Sequence, residues 1–137
     1  MGGERYLALN KTRNTPLAPE TELARSVFRR MKGLIGRSKF APGMGLWIVP
    51  SNGIHTIGMS FPIDAAYLDS GNRILRLYHC LAPFRIAAFV FRARSVLELP
   101  AGTLARTRTE VGDTLEFRRC SGVSCEDVPK PSAQNER

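Results

Sequence analysis

Ala65-Ala66-Tyr67-Leu68-Asp69-Ser70-Gly71-Asn72-Arg73-Ile74-Leu75-Arg76-Leu77-Tyr78-His79-Cys80-Leu81 is the stretch whose reading decides the fold. Ala65 to Leu68 reads as a strand. Asp69-Ser70-Gly71-Asn72 reads as a hairpin turn, because Asp opens such turns and Gly and Asn tolerate positive φ. The chain then returns from Ile74 to Leu81 with period two. Ile74, Arg76 and Tyr78 are expected on one face, and Leu75, Leu77 and His79 on the other.

Outward from this hairpin, more short strands are expected. Downstream, Val96 to Leu99 is stopped by Pro100, Ala101-Gly102 and Val111-Gly112-Asp113 are turns, and Thr114 to Arg118 is the last strand. Upstream, Gly45 to Val49 is an apolar run closed by Pro50, and Tyr6 to Leu9 is a first strand. Asn14 to Pro19 reads as a loop. Pro19 suits the first position of a helix, and Glu20 and Glu22 would complement its dipole. From Leu23 to Ile35, Leu23, Val27, Phe28, Met31, Leu34 and Ile35 fall within an arc of about 140° on a helical wheel. Arg25, Arg29 and Lys32 fall opposite, and Gly33 and Gly36 end the helix. The fold class is α+β: a small, mostly antiparallel sheet, barrel-like or sandwich-like, with one covering amphipathic helix.

Composition agrees. The 137 residues are 43% hydrophobic and 23% charged, with nine Pro and twelve Gly, so short elements separated by turns are favoured over a helical bundle. One domain over residues 4–119 is expected, followed by a polar, Pro-containing, disordered tail at 120–137. The net charge of +8 is uneven: residues 1–40 hold nine basic and three acidic side chains, a local +6. A basic end attracts polyanions, and it equally serves as a solvated face. An odd count of three cysteines argues against a disulfide framework. Cys120 and Cys125 lack C-x-x-C spacing and only two His exist, so no structural zinc is expected. With no apolar leader and no run of about 20 apolar residues, a cytoplasmic protein is expected.

Three segments carry a resemblance. Met31-Lys32-Gly33-Leu34-Ile35-Gly36-Arg37 is similar to a helix-end GLM-x-R element. Ile54-His55-Thr56-Ile57-Gly58-Met59-Ser60-Phe61-Pro62-Ile63-Asp64 is similar to the pattern I-H-T-x-x-M-x-F-P-I-D. Val96-Leu97-Glu98-Leu99-Pro100-Ala101-Gly102 precedes Gly112-Asp113. In this order, over roughly residues 5–118, they resemble the uncharacterised family DUF192. The resemblance implies a compact β-rich fold and carries no chemistry with it.

Candidate sites remain to be weighed. His55 and Met59 could act as imidazole and thioether ligands, or Met59 fills core while His55 makes a structural hydrogen bond. Asp64 could be a general base or cation ligand, or it accepts backbone N–H bonds at a turn. Glu98 faces away from Leu97 and Leu99, either solvated or paired with Arg76 or Arg94. Ile57, Met59, Phe61 and Ile63 alternate with Gly58, Ser60 and Pro62, which predicts that they are mostly buried.

Phe84-Arg85-Ile86-Ala87-Ala88-Phe89-Val90-Phe91-Arg92 combines three Phe with Arg at both ends. As a strand its face with Phe84, Ile86, Ala88 and Val90 could be buried. The other face, with Arg85, Ala87, Phe89 and Phe91, mixes Arg with two aromatics, so Phe89 or Phe91, with Arg85 and Arg92, is expected to reach solvent and to offer a surface to a protein or a membrane.

No phosphate-binding, dinucleotide, nucleophile-elbow or metalloprotease motif is present in the sequence. A non-catalytic binding or accessory module is therefore expected, with no cofactor and no metal. The alternatives are a hydrolase-like enzyme using His55 with Asp64 or Glu98, and unspecific polyanion binding through Arg25, Arg29 and Lys32. No specific nucleic acid is expected.

Overall fold

The structure is a computed structural model, and it describes residues 4–25 and 40–120. Its strands are β1 (Arg5–Asn10), β2 (Thr15–Ala24), β3 (Met44–Ile48), β4 (Ile63–Leu68), β5 (Ile74–Leu81), β6 (Ser95–Pro100) and β7 (Leu115–Arg119). One short helix, α1 (Thr103–Arg106), precedes β7. The strands form a single sheet in the order β5-β4-β6-β3-β2-β1-β7, antiparallel except for the parallel pair β2–β3.

The hairpin that organises the sheet forms as its sequence implies. Asp69 Oδ1 accepts the N–H groups of Gly71 and Arg73, both at 2.9 Å, and Asn72 takes a φ of 63°. The tip of this hairpin reaches β7. Arg73 bridges Thr114, Ile74 N–H bonds Asp113 O, and Leu115 N–H bonds Asn72 O, each bond 2.8 Å long. The two edge strands thus meet at one end, and the sheet is curled into a half-barrel.

Its interior is filled by Ala8, Leu17, Ala18, Ala66, Leu68, Ile74, Leu97, Leu99, Leu104 and Leu115, drawn from six strands and α1. Packing this tight fixes Gly45: a Cβ there would lie 2.8 Å from Thr21 Oγ1 and 3.0 Å from Ala18 Cβ. The outer face carries two more clusters. Leu46, Ile48, Met59 and Ile63 form one, and Ala65, Tyr67, Ala87, Ala93 and Val96 the other. They are roofed by the loops around residues 54–61 and 84–93, so both faces of the central strands are buried.

Two expectations about the first third of the chain are corrected. Asn14 to Pro19 is not a loop, and Pro19, Glu20, Glu22 and Leu23 do not begin a helix; all but Asn14 belong to β2. Tyr6 pairs with Thr21 and Ala8 with Ala18, so β2 carries an extra residue between those pairs, opposite one on β1. Pro19 sits in that bulge, where a missing N–H costs no ladder bond. The same proline that suits a helix start therefore suits a strand irregularity. Residues 26–39, the rest of the expected helix, lie outside the described residues.

The strict alternation expected in β5 is also broken. Leu68 pairs with Ile74 and Tyr67 with Arg76, which leaves Leu75 as an extra residue. Ile74 consequently shares the interior with Leu77, while Leu75 and Tyr78 pack on the outer face. The turn expected at Ala101-Gly102 leads directly into α1, with Gly102 at a φ of 95°.

Cys120 donates its N–H to Arg5 O and is disulfide-bonded, while Cys80 is free and exposed. An odd count of cysteines argues against a framework of several disulfides and is compatible with a single bond. Residues 121–137 of the expected tail are outside the described residues. Among the described residues, no helix is long and apolar enough to cross a membrane.

Met59 is buried in the outer cluster with Leu46, Ile48 and Ile63. Met59→Ala is expected to lower stability by about 2–5 kcal/mol, from lost transfer energy and the cavity left behind. Urea denaturation measures this. A variant whose midpoint matches the parent would contradict the packing.

Candidate functional site

Asp64 sits in β4 facing the half-barrel interior, beside its register partner Leu99. It is fully buried. Its Oδ1 accepts Cys80 N–H at 2.9 Å, and its Oδ2 accepts Gly102 N–H at 3.1 Å and Leu104 N–H at 2.8 Å. One carboxylate thus holds the β5 backbone where Cys80 turns to a φ of 51°, and the first turn of α1. Of the roles open to Asp64 in the sequence, the geometry matches acceptance of backbone N–H bonds.

Glu98 is buried at the centre of the sheet, paired in register with Leu46 on one side and Ala65 on the other. It is not solvated, contrary to one of its two sequence readings, because the roofing loops cover that face. Ala65 and Glu98 share the outer face, so Glu98 and Asp64 lie on opposite faces of the sheet. His55 is exposed, forms a bridge with Ile86, and accepts Ile57 N–H on Nδ1 at 3.3 Å. An exposed imidazole on the outer roof and a carboxylate sealed in the interior do not converge on one cavity. Among the described residues, no group of three or more His, Cys, Asp and Glu is placed to hold a metal ion.

The alternation expected for residues 57–63 holds in part. Met59 and Ile63 are buried and Phe61 packs partly against them, but Ile57 is exposed. The backbone is not extended there: Gly58 takes a φ of 87° and Met59 N–H bonds Thr56 O. A turn in the middle of the run breaks the two-residue period.

What the structure does assemble is a platform of two antiparallel segments on the outer face. Thr56 N–H bonds Arg85 O, Phe84 N–H bonds Thr56 O, Ala87 N–H bonds Ile54 O, and Val90 N–H bonds Asn52 O. Thr56 Oγ1 donates to Ala82 O and accepts Arg85 N–H. Below it, Tyr67 donates its hydroxyl to Ala88 O at 2.8 Å, and Tyr78 Oη accepts Ala88 N–H at 2.9 Å. Burial beneath the platform pushes the Tyr67 hydroxyl up to about 12. Ala87, Val90 and Ala93 point inward as the anchors.

The large side chains point out. Phe84 is 67% exposed, Ile86 73%, Phe89 78%, Phe91 91% and Ile57 45%. Arg85, Arg92 and Arg94 are exposed beside them. The Arg76 guanidinium lies 4.9 Å from the centre of the Tyr78 ring. Phe89 rests against Gly53, where a Cβ would come within 2.8 Å of its ring. Phe89, Phe91, Arg85 and Arg92 reach solvent as expected. Phe84 and Ile86 do not form a buried face, and Ala87, expected on the face with Phe89 and Phe91, is buried: the segment is not a strand, and its bonds to residues 52–56 decide which side chains face inward.

Arg25, of the expected basic stripe, is exposed just after β2. Arg29 and Lys32 lie outside the described residues.

One polar cluster escaped the sequence reading. Buried Asn10 donates from Nδ2 to Thr109 Oγ1 and Asp113 Oδ2, and its Oδ1 accepts Arg13 N–H. Arg13 Nε bonds Asp113 at 2.7 Å and its terminal nitrogen meets Glu110 at 2.9 Å. Burial alone would raise the Asp113 carboxyl, but bonds from Asn10, Glu110 N–H and Arg13 hold it below the usual range. The partners are about 100 residues apart in sequence, so no local pattern announces them. With its donors and acceptors met internally, the cluster serves to tie the β1–β2 turn to the loop before β7.

A β-rich half-barrel with short turns, a roofed outer face and, among the described residues, one four-residue helix defines the class of protein. The sequence profile of DUF192, described as "Uncharacterized ACR, COG1430", matches residues 8–117, and the chain belongs to that family. A "UPF0127 protein" of Thermococcus sibiricus (strain DSM 12597 / MM 739) is 25% identical over 119 residues, covering 81% of this chain and 74% of that protein. Among solved structures, a protein of unknown function from Novosphingobium aromaticivorans DSM 12444 superposes with a TM-score of 0.71 at 19% identity, over 82% of this chain and 83% of that one. A Sinorhizobium meliloti 1021 protein described as a "putative transcription regulator" superposes with a TM-score of 0.69 at 26% identity, over 83% and 92%.

Proposed function

We infer that this protein is a single-domain, non-catalytic binding or accessory module that acts through the platform of residues 53–57 and 84–94. The observation that carries this reading is the set of exposed Phe84, Ile86, Phe89 and Phe91 on a backbone held by its own hydrogen bonds. Exposed apolar groups of this size, rimmed by polar ones, mark contact surfaces. Phe beside Arg is also the composition found at interface cores. The motif residues His55 and Met59 then belong to the platform and the cluster under it, Glu98 lies in the sheet beneath it, and Asp64 holds the opposite, interior face together.

A hydrolase-like activity using His55 draws no support from Asp64, whose oxygens are engaged in the interior; Glu98 lies on the His55 side of the sheet but is buried under the platform while His55 is exposed on it. Polyanion binding through Arg25, Arg29 and Lys32 is a second reading, favoured by the +6 charge of residues 1–40 (nine basic, three acidic) and by the description of the Sinorhizobium protein. It would be electrostatic, salt-sensitive and without sequence specificity.

The paired substitution Phe89→Ser with Phe91→Ser tests the reading. Both side chains are largely exposed, so the unfolding midpoint should stay within a few degrees of the parent. Binding of a hydrophobic dye and retention on a hydrophobic matrix should fall sharply. Dye binding and retention that match the parent would show that this face is not the contact surface. Turnover of a small-molecule substrate by the pure protein would overturn the non-catalytic part.

A further inference from the structure

We propose that the occupant of this platform is the surface of an anionic lipid bilayer. The proposal rests on the reading of the platform as a contact face and names its partner.

Charge selects the partner. Residues 70–97 contain five arginines and no carboxylate, and residues 40–63 contain no Lys, Arg, Asp or Glu at all. The nearest acidic side chains in sequence are Asp64 and Glu98, both buried, and Asp69, which is committed to the hairpin turn. The two segments that build the face therefore present guanidinium groups around apolar rings and contribute no exposed carboxylate of their own. A two-fold contact between copies of this chain would set arginine rim against arginine rim, which opposes self-association. An anionic bilayer supplies negative headgroups at the rim and hydrocarbon at the centre.

Backbone chemistry favours the same partner. Entering the headgroup region removes water from peptide groups, which is costly for any left unpaired. Here the N–H groups of Phe84, Arg85, Ala87, Ala88, Val90, Ala93 and Arg94 already have partners within the protein. The carbonyls of Ala82, Arg85, Ala88, Val90 and Arg94 do as well. Phe84, Ile86, Phe89 and Phe91 are thus presented by loops pinned at these points, while the N–H groups of Ile86, Phe89, Phe91 and Arg92, without a partner among the described residues, hold the contact at the hydrated headgroup level. Arg85, Arg92 and Arg94 meet lipid phosphate, and interfacial insertion of this kind is shallow.

Flotation of the full chain with vesicles tests the proposal. The probes are vesicles of phosphatidylcholine alone and of phosphatidylcholine mixed with phosphatidylglycerol. The parent should float with the mixed vesicles and stay behind with the neutral ones. Replacing Arg85, Arg92 and Arg94 together by Gln should lower partitioning about a hundredfold, at roughly 1 kcal/mol per charge. Phe89→Ser with Phe91→Ser should lower it more than tenfold with the charges intact. As an independent readout, Phe91→Trp should shift its emission to the blue, above the Trp47 background, on mixed vesicles only. Circular dichroism and the unfolding midpoint check that each variant is folded.

A parent that does not float, with dye binding still lost in the Phe variant, overturns the bilayer while leaving the contact face standing for a protein partner. Flotation unchanged in both variants places the lipid contact elsewhere and overturns the proposal. No flotation together with unchanged dye binding overturns the bilayer and the contact face alike.

Discussion

Asp64→Ala is expected to lower the stability of this protein by about 3–6 kcal/mol, a large part of the margin of a domain this size. The reason is specific. Its carboxylate takes three backbone N–H groups, from Cys80, Gly102 and Leu104. Alanine would leave the Leu104 N–H buried and those of Cys80 and Gly102 half-buried without their acceptor, with each orphaned group costing about 1–3 kcal/mol. Asp64→Asn separates this from loss of volume. Its single carbonyl oxygen can still serve Gly102 and Leu104, but its NH2 would face the Cys80 N–H, donor against donor. The amide should therefore fall between parent and alanine. Urea denaturation of the three proteins gives the order. An alanine variant within about 1 kcal/mol of the parent would mean that the backbone groups find other partners and that Asp64 is dispensable to the fold.

Tyr67→Ala should have a comparable effect, about 3–5 kcal/mol, with a different distribution. The ring is fully buried and packs 5.9 Å from Tyr78, and its hydroxyl holds Ala88 O. Removing it opens a cavity between the sheet and the platform. Tyr67→Phe removes only the hydroxyl, so about 1 kcal/mol is expected. Hydrogen exchange adds the spatial reading: the amides of Ala87, Ala88 and Val90 should lose protection in the alanine variant more than those of β1 and β2 do. Equal loss across the chain would mean that the platform opens only when the whole domain unfolds. Loss confined to the platform would connect it, through Tyr67, to the sheet that positions it.

The sequence by itself determined the elements whose signals are local. The hairpin at Asp69–Asn72 follows from turn chemistry that needs no distant partner. β3 ends just before Pro50 and β6 ends at Pro100, which still pairs with Ile63, and the exposure of Phe89 and Phe91 was legible because arginine neighbours exclude a dry face. Tertiary structure decided the rest. Pro19 satisfies a helix start and a strand bulge equally well, and only the neighbours β1 and β3 select the strand. Ile57 turns outward because Gly58 reverses the backbone, and Phe84 and Ile86 because the segment is pinned to residues 52–56 instead of pairing as a strand. Asp64 shows the division most clearly. Its residue type allows a base, a cation ligand or a backbone acceptor, and the choice came from Cys80, Gly102 and Leu104, up to 40 positions away. A carboxylate's role is set by which donors surround it, and those donors are brought to Asp64 by sheet register, which no local window contains.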